Sequence, residues 1–199
     1  GLTCDRIKIQ EADVLITEAT YGHPDYILPK VEDVRKDVIK WVNDQLKKGR
    51  SVNLGAYSIG KAQEVIKILN ENGIVPQVSD SVRKFSEVYK KFGVKLEFLE
   101  SCENGEVFVK PMHLLFSDRG RKNCVLTGWA AFRDYGCDGI PLSDHCDFAQ
   151  LMEYIEKVNP KKVYCVHGYE HELTRVIKDK LKIPAFTVRN RAQRLLTEF

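Results

Sequence analysis

Strand-length apolar runs alternate with helical patterns along this chain, and three of the runs end on a residue able to bind metal or move a proton. They are Asp13-Val14-Leu15-Ile16-Thr17-Glu18, Gly139-Ile140-Pro141-Leu142-Ser143-Asp144-His145 and Lys162-Val163-Tyr164-Cys165-Val166-His167-Gly168. Such alternation argues for an α/β fold with a largely parallel sheet. In sheets of that kind, ligands gather outside the carboxyl ends of the strands. Glu18, His145 and His167 are therefore the first candidate site residues, delivered by three separate runs to one edge.

Between the second and third runs, Phe148, Leu151, Met152 and Ile155 follow the i, i+3, i+4, i+7 spacing of an amphipathic helix. Asp147 stands where an N-cap belongs, and Asn159-Pro160 closes the helix. The segment reads strand, helix, strand: a right-handed βαβ unit. If its strands are neighbours, about 4.8 Å apart, His145 and His167 leave the same edge. The plain alternative, two isolated hydrogen-bonded histidines, stays open.

The rest of the chain continues the alternation. A helix is expected from about Val31 to Lys48, with Val31, Val34, Val38, Trp41, Val42 and Leu46 on one face and Gly49 after it. Glu32 and Asp33 in its first turn, and Lys47 and Lys48 in its last, suit the helix dipole. Ser51–Tyr57 reads as a strand, Lys61–Asn70 as a helix, Ile74–Val78 as a strand and Ser81–Phe92 as a helix. Residues 94–125 hold β-rich fragments and the polar turn Ser117-Asp118-Arg119-Gly120-Arg121.

With 199 residues and 43% apolar content, the chain suits one compact domain or two intimately joined ones. No apolar run is long enough to span a bilayer, so no membrane partner is expected. No secretory signal is visible, and the first residue is Gly, which suggests a processed terminus or a piece of something longer. The six cysteines are scattered, with no C-x-x-C pair; Cys124 and Cys165 read as buried free thiols, and a reducing cytoplasm is the expected location. Residues 23–125 carry 18 Lys and Arg against 14 Asp and Glu, and Arg189, Arg191 and Arg194 cluster near the C-terminus. That balance fits a phosphate-backbone surface, with Arg191 a candidate contact, and fits a solvated charged face as well.

Gly55-Ala56-Tyr57-Ser58-Ile59-Gly60-Lys61-Ala62 nearly matches the phosphate-binding loop G-x-x-x-x-G-K-[S/T] and lies between a strand and a helix. Ala62 lacks the hydroxyl that a nucleotide hydrolase uses to hold Mg²⁺, and Tyr57 is poor material for wrapping a triphosphate. A nucleotide hydrolase is therefore not expected. A single phosphate at the helix start, helped by Ser58 and Lys61, is the reading that remains.

Four strings occur in order: Leu15-Ile16-Thr17-Glu18-Ala19-Thr20-Tyr21-Gly22, Gly60-Lys61-Ala62-Gln63-Glu64, Ser143-Asp144-His145-Cys146-Asp147 and Val166-His167-Gly168-Tyr169. Together they resemble the β-CASP branch of the metallo-β-lactamase fold, a family of zinc-dependent nucleases acting on RNA or DNA. Thr17-Glu18-Ala19-Thr20 and Thr127-Gly128-Trp129 are most similar to exonucleases of the mRNA 3′-end processing and ligase-associated types. The resemblance spans nearly the whole chain. It implies part of an αββα fold (residues 1–22 and 126–199) with an inserted β-CASP α/β domain (residues 23–125). It also implies roles: Glu18 matches the acidic motif, His145 the histidine that acts on the leaving group, and His167 a zinc ligand. The implied cofactor is a pair of zinc ions, and the implied partner is RNA or single-stranded DNA.

One departure qualifies the match. Complete family members carry H-x-H-x-D-H and a further His and Asp upstream of the acidic motif, whereas His23, His113 and His171 here stand at unrelated spacings. The resemblance then implies the C-terminal part of a longer enzyme, inactive by itself, with at most a partial zinc site. Uncovered apolar surface would invite a homo-oligomer. The alternative from another class is a non-catalytic nucleic-acid-binding or assembly module of the same fold.

Overall fold

The computed structural model describes residues 1–5, 7–100, 105–118 and 120–188. In chain order the elements are β1 (Val14–Ala19), α1 (Val31–Leu46), β2 (Val52–Ala56), α2 (Lys61–Asn70), β3 (Gln77–Val78), α3 (Asp80–Lys91), β4 (Val107–Pro111), β5 (Lys122–Leu126), β6 (Asp138–Ile140), α4 (Phe148–Val158), β7 (Lys162–Gly168), α5 (Glu170–Val176) and β8 (Ala185–Thr187). They form two compact units, Gly1–Arg6 with Leu28–Asp144, and Ile7–Ile27 with His145–Phe199. The fold is α/β with parallel sheets, as the alternation requires.

The first unit is built on a five-stranded sheet of order β3-β4-β2-β5-β6, with every pairing parallel. All five residues of β2 are buried, as expected of a central strand covered on both faces. Helix α1 buries Val34, Val38 and Val42, one stripe at helical spacing. Helix α2 is different in kind: Ala62, Val65, Ile66, Ile68 and Leu69 are all buried, so it lies inside the core rather than along its surface. The side chain of Ser79 caps α3 by accepting from Val82 N–H.

The second unit holds a three-stranded parallel sheet of order β1-β7-β8. Helices α4 and α5 pack on it. They bury Leu151, Met152, Ile155 and Leu173, with Ile177 just past α5, against Val163, Cys165 and Ala185. The register places Ile16, Tyr164 and Phe186 side by side on the opposite face, where Ile16 is 66% exposed. Asp147 caps α4 in a full capping box with Gln150, and Asn159 ends the helix in the left-handed region.

One expected arrangement does not occur. The run ending at His145 forms a strand only over Asp138–Ile140, and that strand joins β5 in the five-stranded sheet. The neighbours of β7 are β1 and β8, so the run, α4 and β7 do not make a βαβ unit. The cause is local. Pro141 has no N–H to offer a ladder, and Leu142 N–H turns back to Ile140 O at 2.8 Å. Residues 126–144, grouped above with the C-terminal segment, accordingly pack with the five-stranded unit.

Candidate functional site

In the second unit, Glu18 sits one residue from the end of β1, opposite Val166 of β7. Its Oε2 accepts the backbone N–H of Thr20 at 2.5 Å. Its Oε1 lies 3.6 Å from Nδ1 of His145, an ion-pair separation, longer than a hydrogen bond. The hydroxyl of Thr20 stands 3.5 Å from that same nitrogen. His145 does not end a strand; it lies in the turn just before the Asp147 cap. Burial pushes the Glu18 carboxyl up, but His145 and Thr20 together outweigh it and hold the group below its ordinary value. Both side chains keep solvent access.

His167 lies where the β1–β7 ladder slips. Glu18 pairs with Val166 and Ala19 with Gly168, which leaves His167 as the extra residue of a bulge. Its φ is 60°, in the left-handed region that non-glycine residues seldom adopt. Gly168 follows at φ 72°, and a Cβ there would stand 2.5 Å from Ala19 O. That oxygen also accepts Tyr169 N–H at 2.7 Å and Gly22 N–H at 3.0 Å, fastening the two strand ends together. His167 and Glu18 thus leave the same end of one strand pair, and His145 joins Glu18.

Sequence reasoning passed over the aromatic surroundings. Tyr21 meets His145 edge-on at 6.3 Å, and Tyr26 and Tyr169 pack at 4.8 Å with their hydroxyls 2.6 Å apart. His23 joins them at 5.7 and 5.9 Å, its Nδ1 accepting Asp25 N–H at 3.3 Å. Thr20 was also overlooked as a site residue. The signal was available: a carboxylate followed two residues later by a free N–H is the geometry of a local side-chain turn.

In the first unit, the helix start expected to hold a phosphate is closed on itself. Lys61 N–H goes to Ile59 O at 3.1 Å and Ala62 N–H to Tyr57 O at 3.0 Å. The Gln63 side chain takes Ser58 O at 3.1 Å. Lys61 is 3% exposed, and its Nζ donates to Leu142 O at 2.9 Å with Asp144 Oδ2 at 3.4 Å. It is neither a surface lysine nor a free cation for a phosphate, which corrects the expectation for Lys61 and removes the main support for Ser58. Burial draws the Lys61 ammonium below its ordinary value, opposed in part by Asp144 and Glu64. Arg191 lies outside the described residues.

Among the described residues, no group of three or more His, Cys, Asp and Glu side chains is placed to hold a metal ion. The residues described here do not by themselves build a zinc site.

Comparison with known proteins bears on the class. Residues 138–188, which include His145 and His167, match the family described as the Zn-dependent metallo-hydrolase RNA specificity domain. The chain is similar to a probable DNA ligase of Opitutus terrae, 29% identical over 90% of this chain and 19% of that protein. It is similar to an RNase J-like protein of Methanocaldococcus jannaschii, 25% identical over 89% of this chain and 58% of that protein. It is also similar to the DNA cross-link repair protein SNM1 of Arabidopsis thaliana, 23% identical over 77% of this chain and 38% of that protein. The resemblance to β-CASP metallo-β-lactamase-fold nucleases stands. The chain spans from about a fifth to three fifths of the length of these relatives.

Proposed function

We propose that this chain is a portion of a metal-dependent nuclease that hydrolyses phosphodiester bonds in RNA or DNA. The observation that carries the reading is the placement of the Glu18 carboxylate 3.6 Å from His145 Nδ1. A carboxylate on that side favours the proton on Nδ1 and stabilises the imidazolium, leaving Nε2–H to be given away. His145 is thereby suited to protonate the oxygen that departs when a phosphodiester breaks. Glu18 orients it, and Thr20 holds Glu18.

His167 is proposed as a zinc ligand whose co-ligands come from outside the described residues. Its left-handed backbone supports a functional role, because strain of this kind collects at sites where a particular side chain is needed. The names of the relatives support an RNA or DNA substrate, and the exonuclease type, 3′-end processing of mRNA and a cytoplasmic location belong to the same proposal. The test is nuclease rate and zinc content measured on one preparation of the longer protein. His145→Ala should slow cleavage about a hundredfold or more while zinc is retained. His167→Ala should lower both.

A second reading is a non-catalytic nucleic-acid-binding or assembly module. It is favoured by the lack of a three-ligand cluster among the described residues. A longer protein that binds nucleic acid and lacks zinc-dependent cleavage would establish it.

A further inference from the structure

The topology of the five-stranded sheet marks one place on its carboxyl edge. The chain leaving β2 passes through α2 to β3 on one side, whereas the chain leaving β5 passes to β6 on the other. Because β2 and β5 are paired, their outgoing loops part at this point, and crevices at such reversals are where open parallel sheets bind ligands. Register places Gly55 opposite Val125, so Tyr57 and Thr127 leave adjacent strands level with one another.

The two loops present rings. Tyr57 is 55% and Ile59 59% exposed on the β2 loop. The β5 loop carries Trp129 and the exposed Phe132, with the Arg133 guanidinium 4.5 Å from the Trp129 ring centroid. Their backbones, by contrast, are spoken for. Ala62 N–H is bonded to Tyr57 O, Ala130 N–H to Thr127 O, and Phe132 and Arg133 N–H to Trp129 O. Those four N–H groups are therefore not open to grip a lone phosphate. What this edge presents are flat π-faces and a guanidinium on tightly turned loops.

Flat faces next to a planar cation suit the bases of a single strand, which stack on aromatic side chains whatever their identity. A duplex hides those faces, and a mononucleotide would cover only one of them. We propose that the carboxyl edge at β2 and β5 is a stacking platform for single-stranded nucleic acid, carried by Tyr57, Trp129, Phe132 and Arg133. The proposal rests on the nucleic-acid reading above and names how the strand is gripped.

The chain has two tryptophans, and Trp41 is partly buried against the core with its indole N–H bonded to Asp138 Oδ2 at 2.9 Å. In a Trp41→Phe variant the tryptophan emission belongs to Trp129. Titration with a short oligouridylate should quench it, and an abasic strand of equal charge should not. With labelled oligouridylate and the native tryptophans, Tyr57→Ala should weaken binding about tenfold, within the range for one lost stacking partner. Tyr57 is exposed, so that change leaves the core intact and remains informative if the tryptophan variant folds poorly. Binding without quenching, equal affinity for the abasic strand or for a duplex, or an unchanged Tyr57→Ala affinity would overturn the platform and leave the nucleic-acid reading standing. No binding of any oligonucleotide at low salt would overturn both.

Discussion

At the scale of single residues, two buried or half-buried charges each make stability rise with pH, in two different windows. Glu18 has its folded pKa held below the ordinary 4.5, so its contribution to stability is complete above that value and is lost as pH falls through the folded value. Glu18→Gln should therefore be less stable than the parent chain at pH 7. The gap should close in acid, as read from urea midpoints at several pH values. Lys61 has the same slope for the opposite reason, since here burial disfavours the charged form. Its folded pKa is lowered from 10.5, so the unfolded chain binds more protons between the two values and stability rises with pH across that window. Lys61→Met should abolish this rise, a test that separates the ammonium from the rest of α2. Lys61→Ala should cost about 2 kcal/mol, because Leu142 O loses its buried donor. Its affinity for nucleic acid, measured on the folded fraction, should stay within about twofold of the parent value, since phosphate contacts need an ammonium at the surface. The sequence expectation was the reverse, and it failed because a lysine after a glycine looks alike whether its side chain points to solvent or to a carbonyl in the core.

Elements show which parts of the fold can be read from sequence. Helices α1, α2 and α4 fell close to their expected bounds because each carries apolar residues at helical spacing and a Gly or Asn at or just past its end, and α4 has the Asp147 cap besides. The candidate site was legible in part for a similar reason, since Glu18 and His167 each stand one residue from the end of a strand with a clear apolar run. Sheet membership was not legible. Whether β6 pairs with β5 or with β7 is decided by packing across the chain, and nothing within Gly139–His145 except Pro141 argues about it. The bulge at His167 was equally hidden, because it depends on the opposing strand. Two substitutions test these local devices. Asp147→Ala removes the side-chain half of the capping box, the acceptor of Gln150 N–H, and should lower stability by about 1 kcal/mol, seen in thermal unfolding. Gly168→Ala should be far worse, several kcal/mol, because a Cβ meets backbone at 2.5 and 2.7 Å in a left-handed conformation. Loss of soluble folded protein on expression is the expected outcome, and a normal thermal midpoint would mean that the ladder re-registers around His167.

For the whole molecule, the question is how much chemistry this length of chain carries. On the proposed reading it supplies a carboxylate-oriented histidine, which would be half of what hydrolysis of a phosphodiester requires; the other half is an activated water and charge neutralisation. A zinc ion that activates water is held as a rule by three protein ligands with one position open. The described residues offer no cluster of that size, and His167 is the one proposed ligand. The 199-residue chain alone is therefore expected to bind zinc weakly and to leave RNA and DNA uncut, while still binding single strands through its first unit. Joined to the additional sequence that its longer relatives possess, it should gain both tightly held metal and activity. The measurement is stoichiometric zinc after dialysis, with cleavage of a labelled single strand followed on the same samples. In the longer protein, Glu18→Gln should resemble His145→Ala, slow with zinc retained, because the amide keeps the shape but cannot stabilise the imidazolium. His167→Ala should lose zinc and rate together. If the chain alone is fully active, or if His167→Ala keeps its zinc, the division of labour among these three residues is wrong. A normal rate for Glu18→Gln would undo the orienting role while leaving His145 and His167 in place.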